Sequence, residues 1–96
     1  MYEAYTRLIS FCSVRQALIA ETVLNRSNIS CALVPTPRTL GTNCGQCLLF
    51  FAENQDSILK LFAEKSVIWV NLFKRDGKEA YELYAHQESG IIEWEV

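Results

Sequence analysis

The spacing of apolar residues predicts a strand and then a helix at the start of the chain. Residues 5–12 (YTRLISFC) are rich in aromatic and β-branched side chains, which is typical of a strand. Ser13 and Gln16 follow at the spacing of a capping box, which marks the start of a helix. That helix is predicted to end near Arg26, and its apolar stripe consists of Ala17, Ala20, Val23 and Leu24.

The middle of the chain repeats this alternation of strands and a helix. Residues 29–35 (ISCALVP) form a predicted strand that ends at a proline, and residues 47–52 (CLLFFA) form another. A second amphipathic helix is predicted to end near Lys65, with its apolar face formed by Ile58, Leu61 and Phe62. Residues 66–74 (SVIWVNLFK) then predict a fourth strand.

The last part of the chain predicts further strand structure. The sequence RDGK at residues 75–78 is a hairpin turn signal, and residues 79–85 (EAYELYA) fit a fifth strand. Residues 91–96 (IIEWEV) fit either a short edge strand or a docked tail. We therefore divide the chain into a domain over residues 1–75 and a C-terminal extension over residues 76–96 that packs on it.

The element order predicts the fold class. A β-α-β-β-α-β order is that of the α+β, ferredoxin-like split β-α-β fold, an antiparallel sheet with both helices on one face. Here it carries a C-terminal β extension. The fourth strand is apolar on both sides, so we expect the face without helices to be covered by the tail or by a second copy of the protein. Its two predicted sides are Val67, Trp69 and Phe73, and Ile68, Val70 and Leu72.

Length and charge limit the function. A chain of 96 residues has room for one domain, and its 50% hydrophobic content is enough for a core. The net charge is only −2 and the basic residues are scattered, which argues against a nucleic-acid partner. The N-terminus has Glu3 and no long apolar stretch, unlike a signal peptide, and no segment is long enough to span a membrane. We therefore expect a cytoplasmic protein.

The four cysteines, Cys12, Cys31, Cys44 and Cys47, are then expected to be reduced. Cys44 and Cys47 form a Cys-x-x-Cys motif in the segment PTPRTLGTNCGQC at residues 35–47. In the predicted topology, that segment, Cys12 and the start of the first helix lie at the same edge of the sheet. Cys31 lies within a strand between apolar neighbours, where burial explains it best.

The residues around this motif favour thiol chemistry. The thiolate is the nucleophile, and both a helix N-terminus and a nearby arginine such as Arg38 stabilise it. Gly45 allows close approach of the backbone and leaves an amide to bind an anion. Cys47 is placed to attack a sulfur or selenium atom bound to Cys44, or to close a disulfide. Cys12 is included as an anion-binding residue of the site.

Three interpretations follow from these residues. In the leading one, Cys44 carries a persulfide or selenide between donor and acceptor proteins, without turnover of a substrate and without a resident cofactor. In the second, the motif is a dithiol redox site or a soft-metal site in which Cys12, Cys44 and Cys47 bind Cu(I) or Zn(II). In the third, the protein is a non-catalytic interaction domain that forms a homodimer through its second sheet face.

The segment also resembles a known family. Pro-x-Pro-Arg followed by a short Ser/Thr/Gly-rich stretch and Cys-Gly is similar to the selenium/sulfur carrier-like family, over roughly residues 5–65; the matching positions are Pro35, Pro37, Arg38, Cys44 and Gly45. The resemblance implies a cytoplasmic carrier that holds reduced sulfur or selenium on Cys44. Two features depart from it: residues 48–50 are apolar where a basic residue is expected, and Cys47 replaces a small or apolar residue.

Overall fold

The computed structural model describes residues 4–40, 45–76 and 80–95. Two helices, α1 (Val14–Arg26) and α2 (Gln55–Glu64), lie between strands in the chain. Single 3-10 turns follow the second and third strands, at Arg38–Leu40 and Ala52–Asn54. The strands are β1 (Arg7–Ser10), β2 (Cys31–Pro35), β3 (Gln46–Phe50), β4 (Asn71–Asp76), β5 (Ala80–Glu88) and β6 (Ile91–Trp94).

The strands form one antiparallel sheet in the order β2-β3-β1-β4-β5-β6. The predicted α+β class is therefore confirmed, with two helices and a single sheet in the described segments. The last two strands continue that sheet beyond β4, and they meet at a two-residue turn in which Ser89 and Gly90 have φ values of 53° and 81°. Positive φ at both positions is what a type I′ hairpin turn requires.

The sheet separates two apolar clusters. The larger one contains the buried sides of both helices and one face of the sheet, with Ile9, Leu48 and Phe50 among its fully buried residues. The smaller one lies on the opposite face and contains Leu8 and Cys47. Residues that alternate along β1 and β3 therefore enter different clusters, as the two-residue period of a strand demands.

The prediction for the fourth strand was wrong at its start and in its two faces. The strand begins at Asn71, not at residue 66. Val67 and Trp69 are buried in the same cluster as Leu72, whereas Phe73 belongs to the cluster on the other face. Residues 67–70 precede the regular strand. The alternation of side chains between two faces, which a strand over residues 66–74 would have, therefore does not run through them.

The C-terminal extension widens the sheet and does not lie across its second face. The described part of the tail pairs edge to edge with β4 through β5. Tyr5 and Phe51, with ring centroids 4.5 Å apart, and Leu40 pack on the second face, and the extension contributes Tyr81 of β5 to the same cluster. Within the described residues the tail therefore reaches this face through Tyr81 but does not lie across it, and coverage by a second copy of the protein stays a prediction.

The predicted N-terminal cap of α1 is confirmed. The Ser13 hydroxyl accepts a hydrogen bond from the backbone N–H of Gln16 at 3.2 Å. The Gln16 side chain has a different use from that in a capping box, because its Oε1 accepts from the backbone N–H of Ile68 at 3.0 Å. Gln16 thus ties the start of α1 to the segment that leads into β4.

Replacing Ser13 with alanine is expected to lower the free energy of unfolding by about 1 kcal/mol, because an N-terminal N–H of α1 loses its partner. Urea unfolding followed by circular dichroism measures this change. Ser57, exposed on α2, provides the control: Ser57→Ala should be neutral or slightly stabilising, since alanine has the higher helix propensity. Equal losses in both variants would contradict the capping role.

Candidate functional site

The candidate site lies at the edge of the sheet where β1 and β2 end and β3 begins. Cys47, the second residue of β3, pairs with Val34 of β2 on one side and with Ser10 of β1 on the other. The chain leaves β1 through Cys12 and enters α1 at Val14. The register therefore brings the end of β1 and the C-terminal part of the Cys-x-x-Cys motif to one edge, as the topology predicted.

Two prolines shape the connection that carries the motif. Pro35 is the last residue of β2, and β2 is an outer strand of the sheet. Since proline has no N–H to donate, an edge strand or strand end is where a sheet accepts it. Pro37 directly precedes the 3-10 turn Arg38–Leu40. The backbone therefore leaves the sheet with a restricted φ at two positions.

Thr36, between these prolines, holds the two sides of the connection together. Its backbone N–H donates to the carbonyl of Gly45 at 3.1 Å. Its hydroxyl lies 3.2 Å from the Cys47 Sγ. Thr36 thus contacts both the backbone of Gly45 and the sulfur of Cys47. The sequence reasoning missed Thr36, although a threonine between two prolines at a strand end was a visible signal.

Cys47 is fully buried, with a relative exposure of 0%. Its side chain belongs to the apolar cluster on the face without helices, together with Leu8 and Leu49. A reagent in bulk solvent can reach this thiol only after the structure opens locally. Cys47 is therefore placed to react with a group within the protein more readily than with a free ligand.

Ser10 is the buried polar neighbour of Cys47 in the register. Its exposure is 1%, and its hydroxyl accepts from the N–H of Asn71 at 3.1 Å and lies 3.4 Å from the carbonyl oxygen of the same residue. These contacts satisfy a hydroxyl that would otherwise be costly to bury. They give Ser10 a structural role at the start of β4.

The other predicted site residues are at the surface or outside the described part of the chain. Cys12, Arg38 and Gly45 are all exposed. A Cβ added at Gly45 would meet no atom within 4 Å, so the space beside this residue is open. Cys44 lies outside the described residues. Its predicted role as nucleophile, and the metal set that includes it, remain predictions.

Cys31 differs chemically from an active thiol. Burial, together with the negative charge of Glu21, raises the pKa of Cys31 to about 11. Its Sγ lies 4.0 Å from the Oδ1 of Asn25. A thiol with so high a pKa is almost entirely protonated at neutral pH and is a poor nucleophile or ligand. This agrees with the structural role predicted for it.

The fold and the edge site define a small α+β domain that carries a cysteine-containing connection between two antiparallel strands. No helix in its described segments is long and apolar enough to cross a membrane. Residues 6–74 match the family described as "Putative Se/S carrier protein-like", and the chain belongs to this family. The resemblance inferred from the sequence is thus confirmed. Comparisons with curated proteins and with solved structures gave no match.

Proposed function

We propose that this protein is a thiol-based carrier that holds sulfur or selenium on Cys44. The observation that carries the proposal is the family match, which covers residues 6–74 and so includes the whole connection between β2 and β3. The carrier would pass its cargo from a donor protein to an acceptor protein in a reducing cytoplasm. It would not turn over a substrate by itself.

For sulfur, the chemistry needs two displacements. The Cys44 thiolate attacks the outer sulfur of a donor persulfide, forms a Cys44 persulfide and releases the donor thiolate. The Cys47 thiolate can then attack the Cys44 Sγ, which forms a Cys44–Cys47 disulfide and releases hydrosulfide to the bound acceptor protein. A small cellular thiol or dithiol would reduce that disulfide and restore both cysteines.

The contacts at the edge support this division of roles. Cys47 is buried and lies 3.2 Å from the Thr36 hydroxyl, which suits a second thiol that reacts only with its neighbour in the motif. Arg38 is exposed in the same connection, where its charge can attract an anionic cargo. A Cβ at Gly45 would meet no atom within 4 Å, so the backbone of Gly45 stays open to the approach of an anionic cargo.

The finer description of the fold belongs to the same proposal. The first four strands lie in the order β2-β3-β1-β4, and α1 and α2 follow β1 and β3 in the chain. We interpret this part as a ferredoxin-like split β-α-β unit. In that arrangement the motif occupies a sheet edge, from which a partner protein can approach without displacing either helix.

A direct test is the intact mass of the protein after incubation with a small-molecule persulfide and removal of the donor. The wild type should gain the mass of one sulfur atom, and peptide mapping should place it on Cys44. The variant Cys44→Ser should gain nothing. Cys47→Ser should keep its persulfide longer than the wild type, because the displacement that releases hydrosulfide is lost.

A matched control is available on the same chain. Cys31→Ser, at a position outside the predicted site, should load like the wild type. An adduct that persists in Cys44→Ser, or that maps to Cys12, would overturn the assignment. A Cys44–Cys47 disulfide that forms with oxidants, in a protein that never accepts sulfur, would favour the redox interpretation instead.

A further inference from the structure

Three side chains of types that bind metal ions lie together on the β5–β6 hairpin, at the edge of the sheet opposite β2. His86 of β5 pairs directly with Glu93 of β6, and Glu88 stands two residues further along β5, on the same face. The His86 Nε2 lies 2.9 Å from the Glu93 Oε1. One donor atom from each of these three side chains lies within 4.8 Å of the other two.

We propose that His86, Glu88 and Glu93 form a binding site for a divalent transition-metal ion of the Zn²⁺ type. An imidazole and two carboxylates are a donor set that Zn²⁺ and its neighbours in the first row accept. Zn–N and Zn–O bonds of about 2.0–2.2 Å in tetrahedral geometry place neighbouring ligand atoms about 3.3–3.6 Å apart. The His86 and Glu93 donor atoms, 2.9 Å apart, would have to separate by about half an ångström to bind one ion.

Glu95 supplies an independent indication. Its Oε2 lies 3.7 Å from the Nδ1 of His86, the ring nitrogen that faces away from Glu93. Histidine ligands in metal sites commonly donate their second N–H to a carboxylate, which orients the ring and makes the binding nitrogen more basic. Nδ1 of His86 therefore faces an outer carboxylate, and a metal at Nε2 would replace the hydrogen bond that this nitrogen now shares with the Glu93 Oε1.

The charge of the cluster also favours a cation. Glu88, Glu93 and Glu95 surround one imidazole, which carries at most a single positive charge. Carboxylates held close together repel one another, and a divalent ion between them removes that repulsion. Water can complete the coordination, because Glu93 is 61% exposed on its side chain.

The backbone holds this set in place before an ion arrives. His86 is paired on both sides, with Asn71 of β4 and with Glu93. The two-residue turn at Ser89–Gly90 fixes the register of the hairpin. These residues lie beyond the matched range 6–74, so the proposed site is separate from the carrier chemistry.

Isothermal titration with Zn²⁺, in buffer with a phosphine reductant, tests the site on the whole chain. The wild type should bind one equivalent. His86→Asn and Glu93→Gln should each bind at least about tenfold more weakly, because each removes a ligand. Glu82→Gln, an exposed position on the same strand, should bind as the wild type does.

The thiols are excluded by a second comparison. The double variant Cys12→Ser/Cys44→Ser should retain the same affinity for Zn²⁺, and the Co²⁺ complex should lack the intense near-ultraviolet absorption of cobalt–thiolate bonds. Circular dichroism checks that every variant is folded. Unchanged affinity in both His86→Asn and Glu93→Gln, loss of binding in the cysteine double variant, or no binding at micromolar Zn²⁺ would each overturn the proposal.

Discussion

Iodoacetamide is expected to modify Cys44 before Cys31 at neutral pH, with Cys31 at least about tenfold slower than an ordinary thiol. The pKa of Cys31 is raised from 9.0 to about 11, first by burial and then by Glu21. At a pH below both pKa values, a pKa that is higher by two lowers the fraction of thiolate about a hundredfold. A more basic thiolate is also a stronger nucleophile, and this offsets at most about tenfold of that loss in rate.

Peptide mapping by mass spectrometry after short pulses of reagent gives the rate at each cysteine. Cys12, which is exposed, should react early, and Cys47, which is buried, should wait for local opening. The protein unfolded in denaturant is the control, and there all the rates should converge. The rate at Cys31 in the folded protein should still be rising at pH 10, as a pKa of about 11 demands.

Two results would contradict this account. Equal rates at Cys44 and Cys31 in the folded protein would mean that Cys44 is not an activated thiol. A Cys31 rate that levels off near pH 9 would mean that burial does not raise its pKa. The first result bears on the proposed carrier function, whereas the second bears only on the packing of β2 against α1.

Replacing Trp69 with alanine is expected to lower the free energy of unfolding by about 3–5 kcal/mol. Trp69 is 1% exposed, lies in the cluster between the helices and the sheet, and donates its backbone N–H to the Gln87 Oε1 at 3.1 Å. Removing the indole leaves a cavity that the neighbouring side chains fill only in part. For a domain with a total stability of about 5–14 kcal/mol, this is a large fraction.

Trp94 provides the matched control for this substitution. It is 45% exposed and packs edge-on against Tyr84, with ring centroids 5.3 Å apart. Trp94→Ala should therefore cost no more than about 1.5 kcal/mol. Urea unfolding compares the two variants, and in thermal unfolding Trp69→Ala should lower the Tm by more than about 12 °C. Similar losses in both variants would contradict the packing described for residues 66–70.

Much of the fold could be predicted from the pattern of apolar residues, but the start of β4 could not. The four residues between Ser66 and Asn71 are all apolar, as in a strand that is buried on both faces. Two of their backbone N–H groups, however, donate to glutamine side chains: Ile68 to Gln16, and Trp69 to Gln87. These contacts join residues 52 and 18 positions apart, and local spacing in the sequence carries no trace of them.

The site was predictable to the level of topology and no further. The order of strands and helices is enough to bring the end of β1 and the start of β3 to one edge. The burial of Cys47 and its contact with Thr36 depend on the register of β2 against β3, which the sequence leaves open. The pairing of His86 with Glu93 likewise depends on a hairpin register that local spacing does not specify.

The two outer strands of the sheet have a consequence for how the protein behaves at high concentration. Exposed strand edges invite other chains to add and start aggregates. Pro35 ends β2 without an N–H to offer, and the opposite rim, β6, carries Glu93, with Glu95 directly after it. Two copies meeting at that rim would bring carboxylates together. Each edge thus discourages the sheet from growing into a polymer when many copies of the protein meet.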